Sequence, residues 1–151
     1  MSRTFAHTLP LSHAGREGAF APEAVQRAML EALKSPASYL DGLTGSEILE
    51  ETDRGFTRRL SFGELCIEDS ILRLEDGAVR QAVAAGVSWS ASVLVMHPVS
   101  ASTGSSYVRF EYESEEPQGE EDPFRRIVFE AWRRKDADFL RHVRAILLRR
   151  N

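Results

Sequence analysis

Residues 56–74 read FTRRLSFGELCIEDSILRL. Side chains alternate across a strand, so Phe56, Arg58, Leu60 and Phe62 share one face while Thr57, Arg59 and Ser61 share the other. Gly63 interrupts the alternation, and an apolar-rich run resumes from Leu65 to Leu74. Two strand-like runs joined through one glycine predict an antiparallel hairpin.

The same pattern extends in both directions. Strands are predicted over Ser46–Glu51, Phe56–Phe62, Leu65–Leu74, Ala78–Ala84, Trp89–His97 and Tyr107–Tyr112. The breaks between them are Asp53-Arg54-Gly55, Gly63, Asp76-Gly77, Gly86 and the Ser/Thr/Gly run from Ser100 to Ser106. Connections this short imply an antiparallel meander. Upstream, Phe5, His7, Leu9 and Leu11 share one parity and suit a first strand over Thr4–Leu11. Pro22 opens a helix carrying Val25, Met29 and Leu33 at helical spacing, and Pro36 ends it. Tyr39, Leu40 and Leu43 suit a second short helical turn.

Downstream, 111–122 is acidic and contains Pro117 and Gly119, which reads as an exposed loop. From Pro123 to about Arg149, Phe124, Ile127, Val128, Ala131, Trp132, Phe139, Val143, Ile146 and Leu147 recur every three or four residues. That is one long amphipathic helix, able to cross a whole sheet at about 1.5 Å per residue. A sheet with one apolar face must be covered, and only this last helix is long enough. The expected architecture is therefore α+β: a curved antiparallel sheet of about six or seven strands wrapped around a C-terminal helix, as a single domain over 1–151.

Bulk properties narrow the function classes. With 151 residues, 42% hydrophobic content and 28% charged residues, the chain can bury one substantial core. A net charge of −4 argues against nucleic acid as a partner. Charge is uneven: residues 123–151 hold nine Lys/Arg against three acids, and the rest holds ten against twenty. A solvated basic helix on an acidic sheet accounts for this. No membrane span and no signal segment are evident, and the one cysteine, Cys66, excludes an internal disulfide; the expected setting is the cytoplasm.

The segments AMLEALKSP (28–36), EILEE (47–51), RRLSFG (58–63) and the strand around Glu68 resemble the AtaL-like family of the START-like, or SRPBCC, superfamily. The resemblance implies the helix-grip fold and a hydrophobic cavity between sheet and helix. Superfamily members bind lipids, polyketides, hormones or quinones, and some catalyse cyclisation or dehydration.

Candidate chemistry centres on Arg58, which the alternation points inward and which must be paired if buried. A three-residue turn at Gly63 sets Glu68 opposite it; a two-residue turn sets Asp69 there. The resemblance favours Glu68. An Arg58–Glu68 pair would either orient a polar ligand group or serve as a structural ion pair. Phe56, Leu60, Phe62, Trp89, Phe110, Tyr112, Trp132 and Phe139 are the large apolar residues that would line the cavity or simply fill the core. His142 lies one turn after Asp138, as a base with its orienting carboxylate or as a surface neighbour. No metal-ligand spacing and no cofactor motif occur, and Cys66 has no nucleophile signature. The leading expectation is a binder of a small hydrophobic molecule. The alternatives are a cyclase/dehydratase-type enzyme using Arg58 and Glu68, and a co-chaperone-like interaction module. Exposed edge strands permit a homodimer.

Overall fold

The structure, a computed structural model, describes residues 2–12, 19–86, 91–101, 104–115 and 125–149. In chain order the elements are β1 (Ser2–Pro10), α1 (Pro22–Leu33), a single 3-10 turn (Pro36–Ser38), β2 (Gly45–Glu51), β3 (Gly55–Phe62), β4 (Leu65–Arg73), β5 (Val79–Val83), β6 (Ser92–Ser100), β7 (Ser106–Glu115) and α2 (Arg125–Arg149). The strands form one seven-stranded antiparallel sheet in the order β1-β7-β6-β5-β4-β3-β2. β2 to β7 are a pure meander, and β1 closes onto β7. The chain thus starts at one edge, crosses to the other through α1, and returns strand by strand.

Local chemistry accounts for the element ends. Pro22 occupies the first turn of α1, where its missing N–H costs nothing, and Glu23 faces the positive end of the helix dipole. The short helical turn expected at Tyr39–Leu43 forms earlier, at Pro36–Ser38, because Pro36 starts a turn whose carbonyl accepts from the Tyr39 and Leu40 amides. β6 runs from Ser92 to Ser100 rather than Trp89 to His97. Pro98 is tolerated there because β5 has already ended, with Val79 opposite Met96. Trp89 lies outside the described residues.

The concave face follows from the register, since paired residues share a side. One cross-sheet row runs His7, Phe110, Met96, Val79; the next runs Phe5, Tyr112, Leu94, Gln81, Ile71, Phe56; a third runs Val83, Asp69, Arg58, Ile48. Beyond these lie Leu60 with Ile67, and Phe62 with Leu65, at the β3–β4 turn. α2 lies against α1 and β1, and α1 also touches β5 and β6. Val25, Met29 and Leu33 of α1 and Val143, Ile146 and Leu147 of α2 are buried in one core cluster with Phe110, Met96 and Val79 of the first row. Full burial of each such side chain contributes about 1.5–3 kcal/mol, so stability concentrates at this end.

Polar pins fix the layers. Gln26 of α1 donates to the carbonyls of Leu74 and Ala78 at 2.7 and 2.9 Å, and the buried Ser12 and Ser106 cap backbone groups where β1 leaves the sheet. Among the described residues no helix is long and apolar enough to cross a membrane, and no group of His, Cys, Asp or Glu could hold a metal ion.

Candidate functional site

The β3–β4 connection decides the first constellation. Phe62 pairs with Leu65, leaving Gly63 and Glu64 as a two-residue turn, and Gly63 has φ +66°. Glycine at the first position with positive φ is what a type II′ hairpin requires. This turn sets Asp69, not Glu68, opposite Arg58. A one-residue change of register moves every side chain to the other face, so Glu68 points outward. There it receives a 3.2 Å contact from Arg59, both being exposed. The expected Arg58–Glu68 pair is therefore replaced by Arg58–Asp69.

Arg58 is 1% exposed and grips Asp69 in a two-pronged pair, Nε to Oδ1 and Nη2 to Oδ2, each 2.8 Å. Nη1 donates to the Leu33 carbonyl at 2.7 Å and to the Tyr39 hydroxyl at 2.9 Å. The Leu33 carbonyl belongs to the last turn of α1, where no intrahelical donor remains and the helix dipole is negative. Gln81 Nε2 supplies a further 2.9 Å hydrogen bond to Asp69 Oδ2. Burial, the largest single influence, would lower the Arg58 pKa, but the hydrogen bonds and charges of Asp69 and Tyr39 together outweigh it and hold the guanidinium above its usual range. Burial likewise raises Tyr39, against the opposing pull of Arg58. This network ties α1, the segment after it, β3, β4 and β5 together, with four donors of the guanidinium committed to protein.

A second constellation lies on the same inner side. Asp136 of α2, 1% exposed, accepts from the Tyr112 hydroxyl at 2.7 and 2.6 Å and contacts His7 Nε2 at 2.8 Å. An ionised Asp136 can only accept, so His7 Nε2 is the donor of this contact. Nδ1 is buried and has no hydrogen-bond partner. Lys135 Nζ lies 3.5 Å from Asp136 Oδ1 and 5.2 Å from the centre of the Tyr112 ring. The Lys135 side chain keeps 29% exposure, yet burial lowers its pKa against the raising effect of Asp136. The amine is thus partly exposed beside a buried carboxylate. Burial, reinforced by the charge of Asp136, pushes the Tyr112 hydroxyl well above its ordinary pKa.

The apolar surroundings divide in two. Phe110 is buried and stacks on His7 at 5.2 Å, and Phe139 is buried edge-on to Tyr39 at 4.9 Å. Phe56 and Leu60 are buried as well. Trp132 is half-buried and stacks on Tyr112 at 4.5 Å. At the β3–β4 turn, by contrast, the inner face is not closed: Phe62 and Ile67 are half-buried, and Leu65 is 43% exposed. The sheet is packed shut at the end that holds His7 and Phe110 and reachable from solvent at the β3–β4 turn, with Arg58 and Asp69 between.

His142 lines a shallow surface groove with Ser38, Tyr39, Asp41 and Arg141. Asp138, its expected orienting carboxylate, accepts instead from Arg141 at 3.0 Å. The His7–Asp136 pair escaped the sequence reading because 129 residues separate its members. Its signals were present nonetheless. His7 shares parity with Phe5 and Leu9, and Asp136 interrupts the apolar stripe of Trp132, Phe139 and Val143.

A curved antiparallel sheet gripping a C-terminal helix, with a short helix after the first strand, defines a helix-grip fold. Two solved structures share that fold along nearly their whole length. The Zhui aromatase/cyclase from Streptomyces sp. R1128 has a TM-score of 0.70 at 13% identity, covering 99% of this chain and 96% of its own. Ara h 8.0201 has a TM-score of 0.67 at 11% identity, covering 98% and 99%. Residues 5–148 match the model of the AtaL family, described as acetylaranotin biosynthesis cluster protein L, and the chain belongs to that family. No curated protein matches the sequence.

Proposed function

We propose that the chain, as one START-like domain over 1–151 working in the cytoplasm, binds a small lipophilic molecule between the sheet and α2. The observation that carries this reading is the half-buried inner face at the β3–β4 turn. Phe62, Ile67 and Leu65 occupy inward positions of the register but keep solvent exposure, next to buried polar groups. An apolar wall with a few convergent polar groups is the usual make-up of a small-molecule site. The similarity to an aromatase/cyclase fits this, as does membership of the AtaL family. Native mass spectrometry, with analysis of an organic extract of the purified protein, tests it. A stoichiometric lipophile is expected; failure both to retain one and to bind any aromatic or acyl-chain lipophile added at micromolar concentration would sink the reading.

A second reading, an enzyme of the cyclase or dehydratase type, has one specific observation in its favour: the unpartnered His7 Nδ1 behind an orienting Asp136. Arg58 and Glu68 do not serve it, because Glu68 faces away from the inner side. Proton exchange into an acidic C–H of a bound β-diketone, lost in His7→Gln, would separate catalysis from binding alone.

A further inference from the structure

The two polar constellations on the inner face differ in what they leave free. Arg58 has committed four donors to Asp69, Leu33 and Tyr39 and is sealed at 1% exposure. No ligand group reaches it without dismantling the α1–sheet joint. Lys135 is the opposite case. Its Nζ stands 3.5 Å from Asp136, longer than a well-formed hydrogen bond, with the charges of Asp69 and Arg58 also acting on it, and the side chain remains 29% exposed. Both oxygens of Asp136 are already engaged, by Tyr112 and His7, so that carboxylate is held back as a fixed counter-charge.

We infer, resting on the binding function proposed above, that Lys135 is the anchor for the acidic oxygen (carboxylate, phenolate or enolate) of an aromatic lipophile. An ammonium is a pure donor with three N–H groups. In a desolvating environment such a cation gains most from a compact anion. The adjacent surface fits a flat ring system. Trp132 stacks on Tyr112 with an 11° interplanar angle, and Phe5 stands 6.0 and 6.3 Å from these two rings. Lys135 Nζ lies over the Tyr112 ring and the Arg133 guanidinium over the Phe5 ring, each 5.2 Å from the ring centre, and aromatic rings flanked by cations select a planar body carrying a charged end. Because Asp136 and Lys135 are neighbours on α2 while Tyr112 and His7 come from β7 and β1, the anchor spans the helix–sheet junction.

The test is a titration at pH 7.5 with 2-naphthoate and with its methyl ester, followed by calorimetry, on wild type, Lys135→Met and Lys135→Arg. The expected result is a wild-type preference for the carboxylate of about tenfold or more. Lys135→Met abolishes that preference while ester affinity stays within about threefold, and Lys135→Arg retains part of it. Circular dichroism establishes that each variant is folded. Should wild type bind both compounds equally, or Lys135→Met keep the preference, the anchor is wrong while the lipophile site stands. Should neither compound bind any variant, this inference falls, while the binding function is decided separately by native mass spectrometry and the wider lipophile panel.

Discussion

At the scale of residues, the decisive contrast is between two neighbouring carboxylates. Asp69 is 3% exposed and holds a guanidinium that has no access to water; Glu68 holds Arg59 at the surface. Removing one member of a buried pair strands the other charge, at about 3–5 kcal/mol, whereas exposed pairs are worth about 0–1 kcal/mol. Asp69→Ala is therefore expected to lower stability by about 3–5 kcal/mol, and Glu68→Ala by less than about 1 kcal/mol. Urea midpoints at constant m-value measure both, and equal effects would refute the register. Tyr39→Phe removes a partner of Arg58 but leaves the Asp69 pair intact, so its cost is that of a hydrogen bond to a charged group, about 1.5–3 kcal/mol. The inward aim of Arg58 was legible because alternation alone dictates it. Its partner was not, since that depends on whether one turn holds two residues or three.

At the scale of elements, the same dependence on turns explains what the sequence conveyed. The seven strands, the helix opened by Pro22 and the long final helix each carry a periodic pattern of several residues, and each is present within a few residues of its expected bounds. Those bounds are set by single contacts that periodicity does not encode, as at Pro36 and Pro98. The candidate site fared less well, because His7, Tyr112 and Asp136 meet only after three elements pack. Two glycines in the deciding hairpin separate turn chemistry from close approach. A Cβ on Gly55 would stand 1.9 Å from the Ile71 carbonyl oxygen, a backbone atom that can retreat only by parting β3 from β4. At Gly63 a Cβ meets open space, and the cost is only that of a left-handed conformation, about 1–2 kcal/mol. Gly55→Ala is thus expected to cost the upper end of the overpacking range, about 3 kcal/mol or more, and Gly63→Ala about half that. Thermal unfolding reads the difference, at about 2–4 °C per kcal/mol for a chain of this size. A Gly55→Ala protein as stable as wild type would mean that β3 and β4 do not approach as described.

At the scale of the whole molecule, two phenols join the helices to the sheet. Tyr39, just after α1, bonds to Arg58 of β3, and Tyr112 of β7 donates to Asp136 of α2. Both hydroxyls are buried and both have raised pKa values, so the folded protein retains protons that the unfolded chain releases near pH 10. Above that pH the unfolded state binds fewer protons than the folded one, and stability must fall as pH rises. The limiting slope is about 1.4 kcal/mol per pH unit for each group, or about 2.7 for the pair. Lys135 acts in the other direction: with its folded pKa depressed, its destabilising charge is fully present at lower pH and is relieved as pH rises toward the unfolded lysine value of about 10.4. Stability should therefore rise gently within the Lys135 window and then drop steeply above about pH 10. Lys135→Met should remove the rise and leave the drop, while Tyr112→Phe should halve the drop. Urea midpoints from pH 8 to 11.5, with phenolate absorbance followed in the same samples, test this: Tyr39 and Tyr112 should ionise only as the chain unfolds. Phenolate from either one appearing in folded protein would show that the hydroxyls do not hold the helices to the sheet.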